Sequence, residues 1–220
     1  MRKLCLLFLL IGTYCYAGEK KYTVDSPDGK IQLAIIQTDA GELTYQLSVK
    51  RKQVIDASAL GFKTEDGLTF PFRGWKMGKV TRNKVNSVWK PLWGKRAVVP
   101  DKYNEMKLSF VNEAKSSDAL EVVARAYNEG VAFRYVSPQG AGSALELTTF
   151  NFAGDYTAWF YNGERHNIGP ERLTETDGER LPVMTVKAAD DLYLAVHEAC
   201  LDEGEPLKPV SYTHLTLPTT

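Results

Sequence analysis

One carboxylate stands out among the residues that could do chemistry, because it continues an apolar pattern. The segment "LYLAVHEA" places Leu192, Leu194 and Val196 on one side of a predicted strand. Period-two alternation extends that side to Glu198. A carboxylate there is costly unless something pairs with it, and a hard cation such as calcium, bound through oxygen, is one solution. The alternative is a strand that ends at His197, with Glu198 at a solvated corner.

The other groups that could act as nucleophile, base or ligand have structural interpretations. A catalytic thiolate needs a nearby base and an electropositive setting, so Cys200 is interpreted as a small buried residue. His166 and His197 are interpreted as a hydrogen-bonded loop side chain and a cross-strand side chain. The sequence contains no G-x-S-x-G, H-E-x-x-H, P-loop or paired-cysteine motif. The common catalytic motifs are therefore missing.

Aromatic side chains suggest a second kind of site, because sugar rings stack on exposed Trp and Tyr. We assign Trp75, Trp159 and Tyr161 to the core, since a β-sandwich of this size buries several aromatic rings. The segment "WKPLWGKR" is the exception. With a proline and a glycine it is unsuited to a central strand, so at least one of its two indole rings lines a surface or an interface. Trp89 and Trp93 are therefore the candidate carbohydrate-binding residues.

The elements that must position these side chains show period-two alternation broken by turn residues. "KIQLAIIQT" and "LTYQLSVK" predict a hairpin after the turn "SPDGK", and "RAYNEGVAFRYVS" predicts another through residues 128–130. No apolar set at helical spacing is sustained for three turns. The predicted fold class is all-β, a large antiparallel β-sandwich with long loops and few or no helices. Residues 163–181, which are charged and do not alternate, are predicted to form one long loop.

The composition and the first segment of the chain indicate the cellular compartment. Residues 1–17 are typical of a secretory signal peptide, because the apolar run is too short to span a bilayer; a retained anchor is the alternative. Loss of Arg2 and Lys3 leaves 25 basic against 27 acidic residues, a net charge of −2. That balance gives no electrostatic case for nucleic acid or an anionic membrane. Cys200 is then the one remaining cysteine, so we predict secretion to a bacterial periplasm without an internal disulfide.

An ordered set of short motifs runs from residue 22 to residue 201. The motifs are "SPDGK", "SALGF", "WxxxWGKR" at 89–96, "YNE" at 103–105, "RAYNEGVAFRY" at 125–135, "ELTTF" and "HEACL" at 197–201. Together they resemble the N-terminal domain of glycoside hydrolase family 97. The resemblance implies a β-supersandwich that precedes a catalytic (β/α)₈ barrel. It also implies a periplasmic, calcium-dependent enzyme that hydrolyses α-glucosidic or α-galactosidic bonds.

The resemblance further assigns roles to residues and partners. It implies that Glu198 is a calcium ligand and that the domain forms part of the active-site wall. The family's catalytic residues lie in the barrel, and a barrel cannot fit after Leu201. We therefore expect this chain to be inactive alone and to need the missing barrel domain to act on an oligosaccharide or α-glycoside. Asp202 is followed by Glu203 where the family pattern has an Asp-Tyr pair, which leaves glucose and galactose open.

The predicted domains are the signal peptide, a β-supersandwich at residues 18–209 and a non-native tail at residues 210–220. The tail "VSYTHLTLPTT" contains no Asp, Glu, Lys or Arg and resembles a translated sequencing adapter. Its alternative is an extra strand at residues 211–217. The alternative function is a non-catalytic carbohydrate-binding β-sandwich that uses Trp89 or Trp93, and a third is a structural or interaction domain.

Overall fold

The structure is a computed structural model that describes residues 19–65, 67, 69–71, 75–113, 119–137, 144–161, 167–176 and 181–199, and the strands at 210–211 and 215–216. The strands are β1 (Lys20–Asp25), β2 (Ile31–Gln37), β3 (Leu43–Val49), β4 (Lys52–Leu60), β5 (Phe62–Thr64), β6 (Thr69–Phe70), β7 (Trp75–Trp89), β8 (Val99–Asn112), β9 (Ala119–Tyr127), β10 (Val131–Val136), β11 (Ala144–Glu146), β12 (Thr149–Phe150), β13 (Thr157–Tyr161), β14 (Asn167–Arg172), β15 (Leu181–Ala189), β16 (Leu192–Val196), β17 (Val210–Ser211) and β18 (Leu215–Thr216). None of the described residues lies in a helix.

Antiparallel hydrogen bonding joins these strands into three four-stranded sheets and two smaller ones. The first sheet has the order β1-β2-β3-β4, and the second has the order β10-β9-β8-β7. The third sheet, β14-β13-β15-β16, ends just before Glu198. The three-stranded sheets are β11-β5-β6 and β12-β18-β17. This architecture confirms the predicted antiparallel, all-β sandwich.

The first and second sheets pack around one hydrophobic core. Alternate positions of β2, β3, β8 and β9 fill it, as period-two side-chain geometry requires. Buried side chains of these strands include Leu33, Ile35, Leu43, Tyr45, Met106, Leu108, Phe110, Val122, Ala124 and Ala126. Phe70 closes one end, with its ring centroid 5.2 Å from that of Trp75 and 5.3 Å from that of Phe110, both edge to face. The buried face of each sheet is therefore the face on which the alternation places the apolar residues.

The turn "SPDGK" between β1 and β2 is held by the carboxylate of Asp28. Ser26 Oγ donates to Asp28 Oδ1 at 2.7 Å, and the Lys30 backbone N–H donates to the same oxygen at 3.1 Å. These bonds lower the pKa of Asp28 to about 2. The Asp28 N–H also donates to Asn128 Oδ1 at 3.0 Å, in the turn between β9 and β10. The turn that precedes the first predicted hairpin therefore contacts the turn of the second.

The prediction of one long loop at residues 163–181 is wrong for residues 167–172, which form β14 beside β13. Gly169 has a φ of 114°, a conformation that favours glycine. A Cβ there would lie 2.4 Å from the carbonyl oxygen of Ala158, so glycine is also required by the close approach of β13. Gly169 and Pro170 interrupt the alternation, which is why the sequence pattern did not indicate a strand.

Parts of the predicted tail pair with the rest of the fold. β17 pairs with β18, and β18 pairs with β12. Short strands thus lie where the alternative interpretation placed an extra strand, while the adapter origin of residues 210–220 stays a prediction. The predicted signal peptide lies outside the described residues. Within the described ranges, no helix is long and apolar enough to cross a membrane.

Candidate functional site

Glu198 lies two residues beyond the end of β16. The predicted alternation is confirmed, since Val196 is buried whereas Tyr193 and His197 are exposed. The strand ends at Val196, and Glu198 is half-buried. His197 Nδ1 lies 2.7 Å from the carbonyl oxygen of Glu198. Because a carbonyl oxygen only accepts, Nδ1 carries the proton and donates, which orients the ring against the Glu198 backbone.

The surroundings of Glu198 can be compared with what a metal ion needs. Its carboxylate oxygens suit a hard cation such as calcium, which takes several oxygen ligands. Among the described residues, no group of three or more Asp, Glu, His or Cys side chains could hold a metal ion together. Glu198 fits calcium in donor chemistry, and the other oxygen ligands would have to come from elsewhere. Cys200, Asp202 and His166 lie outside the described residues.

The candidate sugar-binding residues Trp89 and Trp93 lie at the free end of the long β7–β8 hairpin. Trp89 is the last residue of β7 and is 54% exposed, and Trp93 in the connecting loop is 88% exposed. Their predicted exposure is confirmed, and their carbohydrate role stays a prediction. Trp75 is buried as predicted, and Trp159 is half-buried. The assignment of Tyr161 to the core is wrong, because this ring ends β13 and is 47% exposed.

An ion pair with a buried carboxylate lies on the side of β8 that faces away from the core. The register of β8 and β9 sets Glu105 opposite Arg125 and Tyr103 opposite Tyr127. Arg125 Nε donates to Glu105 Oε2 at 2.8 Å, and its guanidinium carbon lies 4.4 Å from the centre of the Tyr103 ring. The Glu105 side chain is 9% exposed and that of Arg125 is 36% exposed. The sequence patterns did not predict this cluster, although the motifs "YNE" and "RAY" carry all of its members.

A second partly buried carboxylate, Glu146, ends β11 among hydroxyl groups. Thr148 Oγ1 donates to Glu146 Oε1, and the Tyr135 hydroxyl lies 3.3 Å from Thr148 Oγ1. Burial raises the pKa of Glu146, and hydrogen bonds from Thr148 and Tyr135 offset only part of that effect. The protonated carboxyl is therefore easier to accommodate than the ionised one. Its position in "ELTTF" was the only signal of Glu146 in the sequence.

Comparison with known proteins identifies the family. A family model described as "Glycosyl-hydrolase 97 N-terminal" matches residues 24–205, a range that includes Glu105, Arg125, Glu146 and Glu198. The chain belongs to this family. The resemblance inferred from the short motifs is confirmed, and the match ends before the tail at residues 210–220.

Two curated relatives of the family 97 domain are named for hydrolysis of galactosides. The retaining α-galactosidase of Bacteroides thetaiotaomicron is 22% identical over 222 residues, which cover 92% of this chain and 32% of that protein. A Streptomyces bingchenggensis protein named "Probable retaining alpha-galactosidase" is 30% identical over 166 residues, covering 73% of this chain and 26% of that protein. The chain thus spans about a third or less of the length of these relatives.

A solved structure supports the same relationship. A Glycoside Hydrolase Family 97 enzyme from Pseudoalteromonas sp. strain K8, in complex with acarbose, superposes with a TM-score of 0.77 at 27% sequence identity. The superposition covers 90% of this chain and 31% of that chain. The family 97 domain described above therefore has the fold of one part of a larger enzyme.

Removal of the cation from the Glu105 ion pair should destabilise the family 97 domain. Arg125→Met would leave an ionised carboxylate buried, and breaking such a pair costs several kcal/mol. Because Arg125 is partly exposed, we expect a smaller loss of about 2 to 3 kcal/mol in the free energy of unfolding. Urea denaturation at pH 7 measures it. The double variant with Glu105→Gln should recover much of the loss, since no buried charge remains.

The exposed pair of Arg172 and Asp155 provides the matched control. Arg172 Nε donates to Asp155 Oδ2 at 2.7 Å, but the two side chains are 55% and 29% exposed. Arg172→Met should therefore cost about 1 kcal/mol or less. Equal losses for Arg125→Met and Arg172→Met would show that burial of Glu105 adds nothing to the ion pair.

Stability should respond to pH through Glu146. The folded state raises the pKa of this group, so it binds the proton more tightly than the unfolded chain, and its contribution to stability falls as pH rises above the ordinary value of 4.5. The melting temperature of the Glu146→Gln variant, measured relative to that of the unmutated chain, should thus increase as pH rises from 4 to 7. Glu129→Gln, at an exposed turn carboxylate, is the control. A Glu146→Gln difference that does not vary with pH would contradict this prediction.

Proposed function

We propose that the chain is the N-terminal domain of a calcium-dependent glycoside hydrolase that acts on α-galactosidic or α-glucosidic bonds. The observation that carries the proposal is the family match over residues 24–205, whose curated relatives are named as retaining α-galactosidases. The chain covers 32% and 26% of those relatives. Hydrolysis is therefore assigned to a parent protein, by which we mean a protein of the relatives' length that begins with this chain.

The names of the relatives favour one sugar over the other. Both curated relatives are named for α-galactosides, so an α-galactosidic bond is the first candidate substrate of the parent protein. An α-glucosidic bond is the second candidate, which the motif resemblance leaves open. Within the parent, this domain would bind and position groups at the edge of the active site, whereas bond cleavage would belong to the rest of the protein.

Glu198 is the residue through which we propose that this domain reaches the active site. It lies two residues beyond the end of β16, so a strand of the third sheet positions the backbone next to it. Its half-buried carboxylate offers oxygen to a hard cation, and the bond from His197 to its carbonyl restrains the adjoining backbone. Calcium bound there would supply positive charge to a developing anion. Glu198 itself would hold the ion and exclude water from one side.

We also propose that the parent protein is exported. Residues 1–17 supply the basic, apolar and small-residue segments of a signal peptide, and Cys200 would then be the one cysteine of the mature domain. A fold without internal disulfides must be stabilised by its apolar core, which suits the large core between the first two sheets. A bacterial periplasm is the compartment that we propose.

Calcium binding distinguishes the domain from its parent. With one described ligand, the isolated chain should show a rise in melting temperature of no more than about 1 °C with millimolar calcium, because a weak site adds little stability. In the parent protein, Glu198→Gln should weaken calcium affinity by about tenfold or more and lower α-galactoside hydrolysis with it. Isothermal titration calorimetry and a chromogenic α-galactoside measure the two effects.

Glu175→Gln is the matched control, because Glu175 is an exposed carboxylate in the turn after β14. It should leave both measurements unchanged. A large calcium-dependent rise in melting temperature of the isolated chain would mean that the domain holds a complete site. Unchanged calcium affinity of the Glu198→Gln parent would remove Glu198 from the ligand set.

A second candidate function is sugar binding by the domain itself. The exposure of Trp89 and Trp93 favours it, since exposed indole rings can stack on sugar rings. This candidate predicts that the isolated chain binds α-galacto- or α-gluco-oligosaccharides and that Trp93→Ala weakens binding about tenfold or more. Affinity electrophoresis measures it, with Tyr193→Ala, another exposed ring, as the control. Absence of sugar binding by the unmutated chain would exclude this candidate.

A further inference from the structure

The β7–β8 hairpin extends beyond the sheet that supports it. β7 and β8 stay paired from Trp75 opposite Asn112 to Trp89 opposite Val99, whereas β9 accompanies β8 only as far as Tyr103. The last four residue pairs, 86–89 with 99–102, therefore have no third strand among the described strands. A two-stranded ribbon is marginally stable in water, so an extension of this kind is better suited to a contact than to free solution.

The tip of this ribbon exposes several apolar side chains, which lie beside basic ones. We define the hairpin tip as residues 88–98. Its exposed apolar side chains are Val88 at 64%, Trp89 at 54%, Leu92 at 100%, Trp93 at 88% and Val98 at 45%. Neighbouring strand residues point to opposite faces, so Val88 and Trp89 lie on different faces of the ribbon. A sugar platform needs one aromatic face with polar groups beside it, whereas exposed apolar side chains on both faces of a ribbon suit insertion into an apolar recess.

The positive charge of the hairpin restricts which surfaces it could contact. Between residues 75 and 100 the chain has seven Lys or Arg residues and no Asp or Glu, although the whole chain carries 27 of each sign. All seven basic side chains are exposed; three of them, Lys90, Lys95 and Arg96, lie in the hairpin tip, and the first acidic residue after them is Asp101 on β8. Two copies joined through this hairpin would bring like charges together, which is unfavourable. The complementary surface is therefore an apolar recess bordered by carboxylates.

The part of the parent protein outside this chain is the partner that the observations favour. The family's solved enzyme is about three times as long, since this domain covers 31% of it. A surface in the same polypeptide meets the hairpin tip at a high effective concentration. We propose that the hairpin tip docks into an acidic-rimmed, apolar recess in the part of the parent protein that follows this domain. The inference rests on the proposed function, because it needs a parent of that length.

Limited proteolysis with trypsin tests the docking. Lys95 and Arg96 offer exposed cleavage sites in the tip, while Lys90 precedes a proline and resists trypsin. The isolated chain should be cut first after Lys95 or Arg96, and the parent protein at least about tenfold more slowly at the same bonds, because docking shields them. Trp93→Asp in the parent should restore rapid cleavage, whereas Tyr193→Ala should not. Mass spectrometry locates and times each cut.

Several outcomes would overturn the docking inference. Equal cleavage rates in the isolated chain and in the parent protein would contradict it. Protection of the isolated chain that increases with its concentration would indicate docking against a second copy. Protection that requires phosphatidylglycerol vesicles would indicate docking against a membrane. Sugar binding by the parent that is lost in Trp93→Asp would also overturn it.

Hydrolysis of an α-galactoside and an α-glucoside by the same parent preparations keeps the two proposals separable. An active but unprotected parent contradicts the docking and leaves the proposed function standing. A protected but inactive parent supports the docking and contradicts the proposed function. Because the comparison of unmutated chain with unmutated parent needs no substitution, the test does not depend on whether Trp93→Asp folds.

Discussion

The fold depends on the burial of alternate β8 side chains between two sheets. Met106, Leu108 and Phe110 point into the core, so the intervening positions of the same strand must point away from it. This single constraint places Tyr103 and Glu105 on the outer side, where they meet their partners on β9. The core thus determines the position of the buried ion pair, although no member of the pair enters the core.

Glu105, Glu146 and Glu198 are each partly or fully withdrawn from water, and each is accommodated differently. Glu105 is matched by a guanidinium, which repays the cost of burying the charge. Glu146 is matched by hydroxyl groups, which donate to its oxygens but offset only part of the effect of burial, so its pKa stays above the ordinary value. Glu198 lies at the end of a strand, at the edge of the fold, where the rest of a larger enzyme could contribute. Position in the sheet, more than residue type, therefore separates structural carboxylates from a proposed ligand.

Alternation predicted the strands that bury one face and failed for those that do not. β2 and β3 alternate clearly because one face of the first sheet is in the core. β7 was not predicted, since most of its side chains are exposed on both faces and no buried face imposes a pattern. The Glu105 and Arg125 pair was also not predictable, because it depends on the register between two strands, which no local motif specifies. The alternation of β16 drew attention to Glu198, but its role as a calcium ligand came from the family resemblance and stays a prediction.

The exposed hairpin tip and the proposed calcium ligand, Glu198, are both features that contact with another part of the protein would stabilise. Apolar side chains held in water are unfavourable in an isolated domain. A second surface would supply apolar cover for the hairpin tip, and under the proposed function it would also supply a cation and further oxygen ligands at Glu198. The chain spans about a third of the length of its relatives, so a protein of that length would have further surface to supply such contacts. Features that look costly in this chain are therefore the places where contact with the remainder is to be sought.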